Sequence, residues 1–257
     1  MGAWLDEQRE WLARAEDRWR PRMSEPLRLR AWLTSSIAWD GYDGMTALEG
    51  ALQTVVVWRE AGRMPADVFA GCGDAVVDIP IPIADVEIAG RRVACASWAV
   101  PPPIAVETLR YRRHRARVEA MRLHVVRINQ GDYKSQNRPE ATLTTPFVDI
   151  FVRGDRERLS ALLADVGAIG RVRGIGFGTV LTWDIENDAE DRSLVWHGAP
   201  QRAIPIEHGG PYDPRNYAPG SYVERECGVR APYWLLAHKA ACAIPAGPFG
   251  APAWEAA

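Results

Sequence analysis

Residues 146–186 read PFVDIFVRGDRERLSALLADVGAIGRVRGIGFGTVLTWDIE. Four elements follow one another here. Pro146 to Val152 is an apolar, β-branched and aromatic run that predicts a strand. Gly154-Asp155 then opens a helix over Arg156 to Val166, with Leu159, Leu162, Leu163 and Val166 on one stripe. Gly167 to Gly178 hold five glycines and cannot continue that helix. A second strand, TVLTWDIE, runs to Glu186.

The same order appears upstream. Leu27, Leu29, Ala31 and Leu33 alternate with polar residues, so the stretch Leu27 to Ala38 begins as a half-buried strand. Asp40 to Gly44 make a turn. Thr46 to Glu60 predict a helix with an apolar stripe of Leu48, Leu52, Val55 and Val56. Thr46 would cap it, with Glu49 completing a capping box, and Gly62 would stop it. A Pro-punctuated β section spans Val76 to Val100, with a hairpin turn at Ala89-Gly90-Arg91. Residues 129–142 are polar and turn-rich and predict an exposed loop at the tip of an excursion. Strand, helix, strands, excursion, strand, helix, glycine loop and strand together predict an α+β fold of β-α-β-β-α-β, ferredoxin-like (RRM-like) order. Ahead of it, Trp4, Leu5, Trp11, Leu12, Ala15 and Trp19 mark an amphipathic helix over residues 3–20, ended by Pro21. Five acids offset five arginines in residues 1–22, so its tryptophan stripe is expected on the protein body or a partner subunit rather than a membrane surface. The expected organisation is an extension at 1–22, a main domain at 23–206 and an irregular Gly/Pro-rich C-terminal extension at 207–257.

The 257 residues are 47% hydrophobic and 25% charged, with a net charge of −2, which excludes a disordered or collagen-like chain. No apolar run approaches the roughly 18 residues of a membrane span, and the N-terminus lacks the apolar core of a signal peptide. Cys72, Cys95, Cys227 and Cys242 form no C-x-x-C pair, so neither a zinc ribbon nor a thioredoxin-type site is expected. The expected setting is cytoplasmic, with reduced thiols.

The basic residues are 29 Arg and 2 Lys, a ratio that base composition of the gene explains without any function. Their placement says more. Seven arginines (110, 112, 113, 115, 117, 122 and 127), with His114 and His124, fall between positions 110 and 127, where Glu119 is the one acid. Such a run is either a solvated face answering acids elsewhere or an anion-binding surface, and guanidinium forks match phosphate geometry. The glycine loop weighs for the second. It lacks the Lys-Ser/Thr ending of a P-loop, and it runs from helix to strand, the reverse of a dinucleotide-binding turn. What it offers is a backbone that approaches a ligand closely, with Arg171 and Arg173 beside it. Read together, the two stretches point to RNA.

The pattern Gly-x-x-Gly-Arg-x-Arg-Gly-x-Gly-Phe-Gly after a helix and before a strand resembles the glycine-rich signature of RAMP-superfamily CRISPR proteins. PLRLRAWLTSSIAWDGYDGMTALEGAL resembles that superfamily's first strand and helix. IPIPIA, the strand holding Ser97, residues 151–186 and Arg202-Ala203-Ile204-Pro205 look like the type IV handle-binding subunit, a relative of the subunit that caps the guide RNA 5′ end in type I complexes. The resemblance covers about residues 26–206 and leaves out the N-terminal helix and the tail beyond Gly209. It implies a RAMP ferredoxin-like core with a protruding basic hairpin or thumb, here about residues 107–142. It also implies an antiviral ribonucleoprotein containing crRNA, a repeated RAMP backbone subunit and a large subunit, with target DNA and a helicase as further partners.

By position, Arg110, Arg112, Arg113, Arg115 and Arg117 become candidate phosphate contacts, with Lys134 a further RNA-binding candidate and Tyr111 and Tyr133 as stacking rings. In the loop the candidates are Gly170, Arg171, Arg173, Gly174, Gly176, Phe177 and Gly178. Metal-free RNA cleavage needs a base near the 2′-hydroxyl and a cation for the developing charge, and His114 and His124 stand in the basic segment for those roles. No catalytic triad or metal-ligand spacing appears. The expectation is therefore a non-catalytic RNA binder without cofactor or metal. A metal-independent endoribonuclease processing precursor crRNA and a general nucleic-acid-binding module are the alternatives.

Overall fold

The computed structural model describes residues 2–38, 47–63, 78–114, 136–171, 173–231, 233 and 236–246. In chain order these form α1 (Gly2–Trp19), β1 (Glu25–Leu33), β2 (Ile37–Ala38), α2 (Glu49–Ala61), β3 (Asp85–Ile88), β4 (Arg91–Ala94), β5 (Val106–His114), β6 (Gln136–Thr144), β7 (Phe147–Gly154), α3 (Arg156–Leu163), β8 (Val180–Asn187), β9 (Val195–Trp196), β10 (Ala199–Pro200), β11 (Ile204–Pro205), β12 (Tyr222–Gly228) and β13 (Lys239–Pro245).

The alternation that marks β1 is used as expected. Leu27, Leu29 and Ala31 are buried, and β1 lies between β7 and β8, antiparallel to both. Residues 96–100 run along the far side of β7, bridged at Ala96–Val152 and Val100–Asp149. Their bonds include Ser97 N–H to Phe151 O at 2.7 Å. The buried face of this sheet meets α2 through Leu48, Leu52, Val55 and Val56, and α3 through Leu159, Leu162 and Leu163. Gly62 caps α2 in the left-handed region, at φ 63°. Asp155 caps α3 by accepting the Arg158 N–H at 3.2 Å. The β3–β4 turn sits at Ala89 and Gly90, both at positive φ. Trp11, Ala15 and Trp19 of α1 join the same core, and Trp19 Nε1 donates to Glu60 Oε1 at 2.9 Å.

Five expectations need correction. The stretch Leu27 to Ala38 is not one strand: the register shifts between Trp32 and Leu33, and Ile37–Ala38 pairs with β6 in another sheet. A bulge re-aims the chain there. The polar stretch read as a loop contains β6 from Gln136 onward. Helix α3 ends at Leu163 rather than Val166. Glu49 is no capping-box residue. It begins α2 after Leu48, is 1% exposed, and forms a buried ion pair with Arg202. The proposed cap, Thr46, and the turn 40–44 lie outside the described residues.

Arg202 also donates to the carbonyls of Ala94 (2.7 Å), Ala96 (3.1 Å) and Val229 (2.8 Å), while the Tyr233 hydroxyl donates to Glu49. Burial pulls the Arg202 guanidinium down in pKa, and the charge and hydrogen bond of Glu49, with Tyr233 and Cys95 beside it, together outweigh that and leave it raised. Burial holds the Tyr233 hydroxyl protonated, well above its ordinary value. The C-terminal part is not irregular. β11, β13 and β12 form an antiparallel sheet whose Cys227, Cys242, Ala243 and Ile244 belong to the same core cluster as Trp11 and Leu29.

Candidate nucleic-acid interface

The hairpin β5–β6 is built by nine consecutive antiparallel pairs, from Val106–Thr144 to His114–Gln136. Arg110, Tyr111, Arg112, Arg113 and His114 occupy the outer half of β5. In register, Arg110 stands opposite Glu140, but Arg112 stands opposite Arg138. Like charges placed directly across a two-stranded ladder repel, by about 0.2–1 kcal/mol, unless an anion sits between them. Arg115, Arg117, His124, Tyr133 and Lys134 lie outside the described residues. Residues 107–142 hold nine Lys/Arg against four Asp/Glu, a net +5, in a chain whose total is −2.

The glycine loop and the hairpin meet on residues 33–38. On one side, Leu33 N–H bonds Pro146 O at 2.8 Å, and β2 pairs Ile37 with Leu143 and Ala38 with Thr142. On the other, Thr34 N–H bonds Thr179 O (3.0 Å), Gly178 N–H bonds Ser36 O (2.8 Å) and Arg171 N–H bonds Ala38 O (2.9 Å). A single cross-strand row therefore runs Arg171, Ala38, Thr142, Thr108. At about 4.8 Å per strand, the loop backbone at Arg171 lies about 14 Å from Thr108, two residues before the first arginine of β5. The two stretches singled out in the sequence are brought side by side, and the seam between them is a segment with no compositional mark of its own.

Within the loop, Gly170 and Gly176 adopt positive φ. Gly178 is demanded by packing as well: at φ +63°, a Cβ would lie 1.8 Å from the Ile169 carbonyl oxygen. Gly174 answers no such demand, because its φ is not positive and a Cβ there would meet nothing within 4 Å. It lies in the 3-10 turn Arg173–Ile175 and is exposed. Arg171 and Arg173 are exposed too. Crowding lowers the Arg173 guanidinium below its ordinary value, yet a group this basic stays charged at neutral pH. Among the described residues Arg173 has no carboxylate partner.

A cleft of about 730 Å³ opens between these parts. Residues 33–36 and 144–146 line it together with Ile104, Val106, Gly176 and Phe177, and none of them is charged.

The open face of the β7–β1–β8 sheet is a different surface. Arg30 holds Asp149 through two bonds (2.7 and 2.8 Å), which raise its pKa, and it lies 3.9 Å over the Phe147 ring. Trp32 packs edge-on against Phe147 and donates to Asp184 at 2.6 Å. Arg192 covers Phe151 at 3.8 Å and binds Asp188 at 2.7 Å. These rings already carry arginines and these arginines already carry acids, so the face is self-neutralised. The bland account of the arginines as partners of acids thus holds for the body. The hairpin and loop are where positive charge accumulates.

Among the described residues no group of His, Cys, Asp and Glu could hold a metal ion, and no helix is long and apolar enough to cross a membrane.

The architecture is that of a mixed α+β protein with mostly antiparallel sheets and a basic hairpin joined to a glycine loop by one short strand. Residues 106–245, just over half of the chain, match the family described as CRISPR type IV associated protein Csf3, and the chain belongs to that family. No curated protein matches it. The matched span starts at the first residue of β5 and ends at the last residue of β13. It includes β12 and β13, which the sequence resemblance left out, and excludes β1 and α2, which that resemblance included.

Proposed function

We propose that this type IV CRISPR-associated protein is a non-catalytic RNA-binding subunit of an effector ribonucleoprotein, and that it grips the 5′ handle of crRNA. The observation that carries the reading is the row Arg171–Ala38–Thr142–Thr108, which sets a cationic glycine loop beside the foot of a hairpin in a stretch, residues 107–142, whose sequence carries a net charge of +5. Arginines give a salt-dependent, sequence-tolerant hold on phosphates, and exposed glycine backbone lets the sugar-phosphate chain come close.

The body is read as a ferredoxin-like RAMP domain with the hairpin as its thumb. The antiparallel order β7–β1–β8, with residues 96–100 along β7 and α2 and α3 on one face, supports this. The partners on this reading are crRNA, a repeated backbone subunit and a large subunit in the cytoplasm, with target DNA and a helicase engaged by the assembled complex. Competition between handle RNA and a scrambled RNA of equal length tests the reading. The handle is expected to displace label at lower concentration, and equal competition would reduce the protein to a general nucleic-acid-binding module. Metal-free cleavage of repeat RNA, lost in His114→Ala, would overturn the assignment as a binder without catalysis.

A further inference from the structure

The cleft at the foot of the hairpin differs in chemistry from its surroundings. Its volume of about 730 Å³ falls among small-ligand sites, which span roughly 300–1,000 Å³. Among the described residues a phosphate would find no cation on its walls, although the arginines of β5 begin only residues away. The walls offer a ring, apolar groups and hydroxyls instead. Phe177 is half-buried on the loop side. Ile104 and Val106, also in the lining, are 69% and 57% exposed, so their aliphatic surface is open to a ligand in the cleft. The Ser35 hydroxyl accepts the Thr179 amide N–H at 2.9 Å, so its own proton remains to donate. A flat, uncharged group with apolar faces and an acceptor on its edge fits this lining. A nucleobase has that form, and a phosphate does not.

We propose that the cleft takes one unpaired nucleobase of the bound RNA, stacked on Phe177 against the Ile104 and Val106 wall, with Ser35 donating to an acceptor on the base edge. This rests on the RNA reading above. It divides the work in two: the hairpin holds phosphates whatever the sequence, and the cleft supplies the sequence preference. Discrimination then resides in uncharged residues outside the arginine run.

The test uses the full chain and fluorescently labelled handle RNA, together with versions in which one nucleotide at a time is abasic, so that every phosphate is kept. One position is expected to weaken binding about tenfold, within the range for losing a base–aromatic stack. Phe177→Ala and Ser35→Ala are expected to erase that positional contrast while leaving the salt dependence of binding unchanged. Should Phe177→Ala fail to fold, Val106→Asn on the facing wall serves the same purpose. If RNA binds and every abasic version binds like the intact one, no base enters the cleft and the proposal fails while the RNA reading stands. A positional loss that persists in the variants would place base reading elsewhere and overturn it too. If no RNA binds at all, the underlying reading falls.

Discussion

Gly174 and Gly178 lie four residues apart in one loop, yet alanine at each is expected to do opposite things. Gly178 has φ +63°, and its Cβ would sit 1.8 Å from Ile169 O and 2.9 Å from Ile169 C. Neither side can yield, because Gly178 O accepts the Ile169 N–H at 2.9 Å and Gly178 N–H donates to Ser36 O at 2.8 Å. The left-handed conformation alone costs an alanine about 1–2 kcal/mol. With the clash, Gly178→Ala should lose about 3 kcal/mol or more, which at about 2–4 °C per kcal/mol lowers Tm by roughly 6–12 °C. Gly174→Ala meets no atom within 4 Å and no positive φ, so the fold should keep its stability or gain about 0.4–1 kcal/mol from the restricted unfolded chain. If RNA closes on that backbone, the added methyl disrupts a charge-assisted contact worth about 1.5–3 kcal/mol, weakening binding by about 10- to 100-fold. Thermal melts give the first quantity and anisotropy titration with handle RNA the second. A Gly174→Ala protein that melts like wild type and also binds RNA like wild type would refute the reasoning, because no RNA backbone would then be closing on Gly174.

Arg202→Ala leaves Glu49 buried with Tyr233 as its remaining partner, and should cost about 3–5 kcal/mol in chemical denaturation. Arg202→Lys should recover little, because one ammonium cannot span Glu49 and three carbonyls. A loss under about 1 kcal/mol would contradict the role of this pair. Arg138→Ala removes the like-charge opposition to Arg112. Without RNA it should raise amide-exchange protection of β5 and β6 by about 0.2–1 kcal/mol, and with RNA it should weaken binding. Reduced protection in the free protein would count against that register argument.

Much of the body was legible because its signals are local. Leu27, Leu29 and Ala31 alternate onto the core, Leu159, Leu162 and Leu163 recur at helical spacing, and Gly62 stops α2 where its pattern ends. β6 was not legible: it holds Pro139 and runs of polar residues, with Leu143 near its end as its contribution to the core. Glu49 sat in a pattern short enough to mimic a capping box, while the charge that answers it is 153 residues away. The arginine run and the glycine loop stood out by composition. Their meeting on residues 33–38 did not, because strand pairing across more than a hundred residues leaves no trace in local spacing.

The salt dependence of handle-RNA binding tests the shared interface most directly. On single-stranded RNA, every phosphate the protein no longer neutralises should reduce the slope of log K against log salt by about 0.7. Arg112→Ala with Arg113→Ala should flatten it by about 1.4, Arg171→Ala with Arg173→Ala by a similar amount, and the four changes together by about 2.8. Slopes that stay parallel to wild type in both pairs would contradict the account, since neither the hairpin nor the loop would then be touching the phosphates.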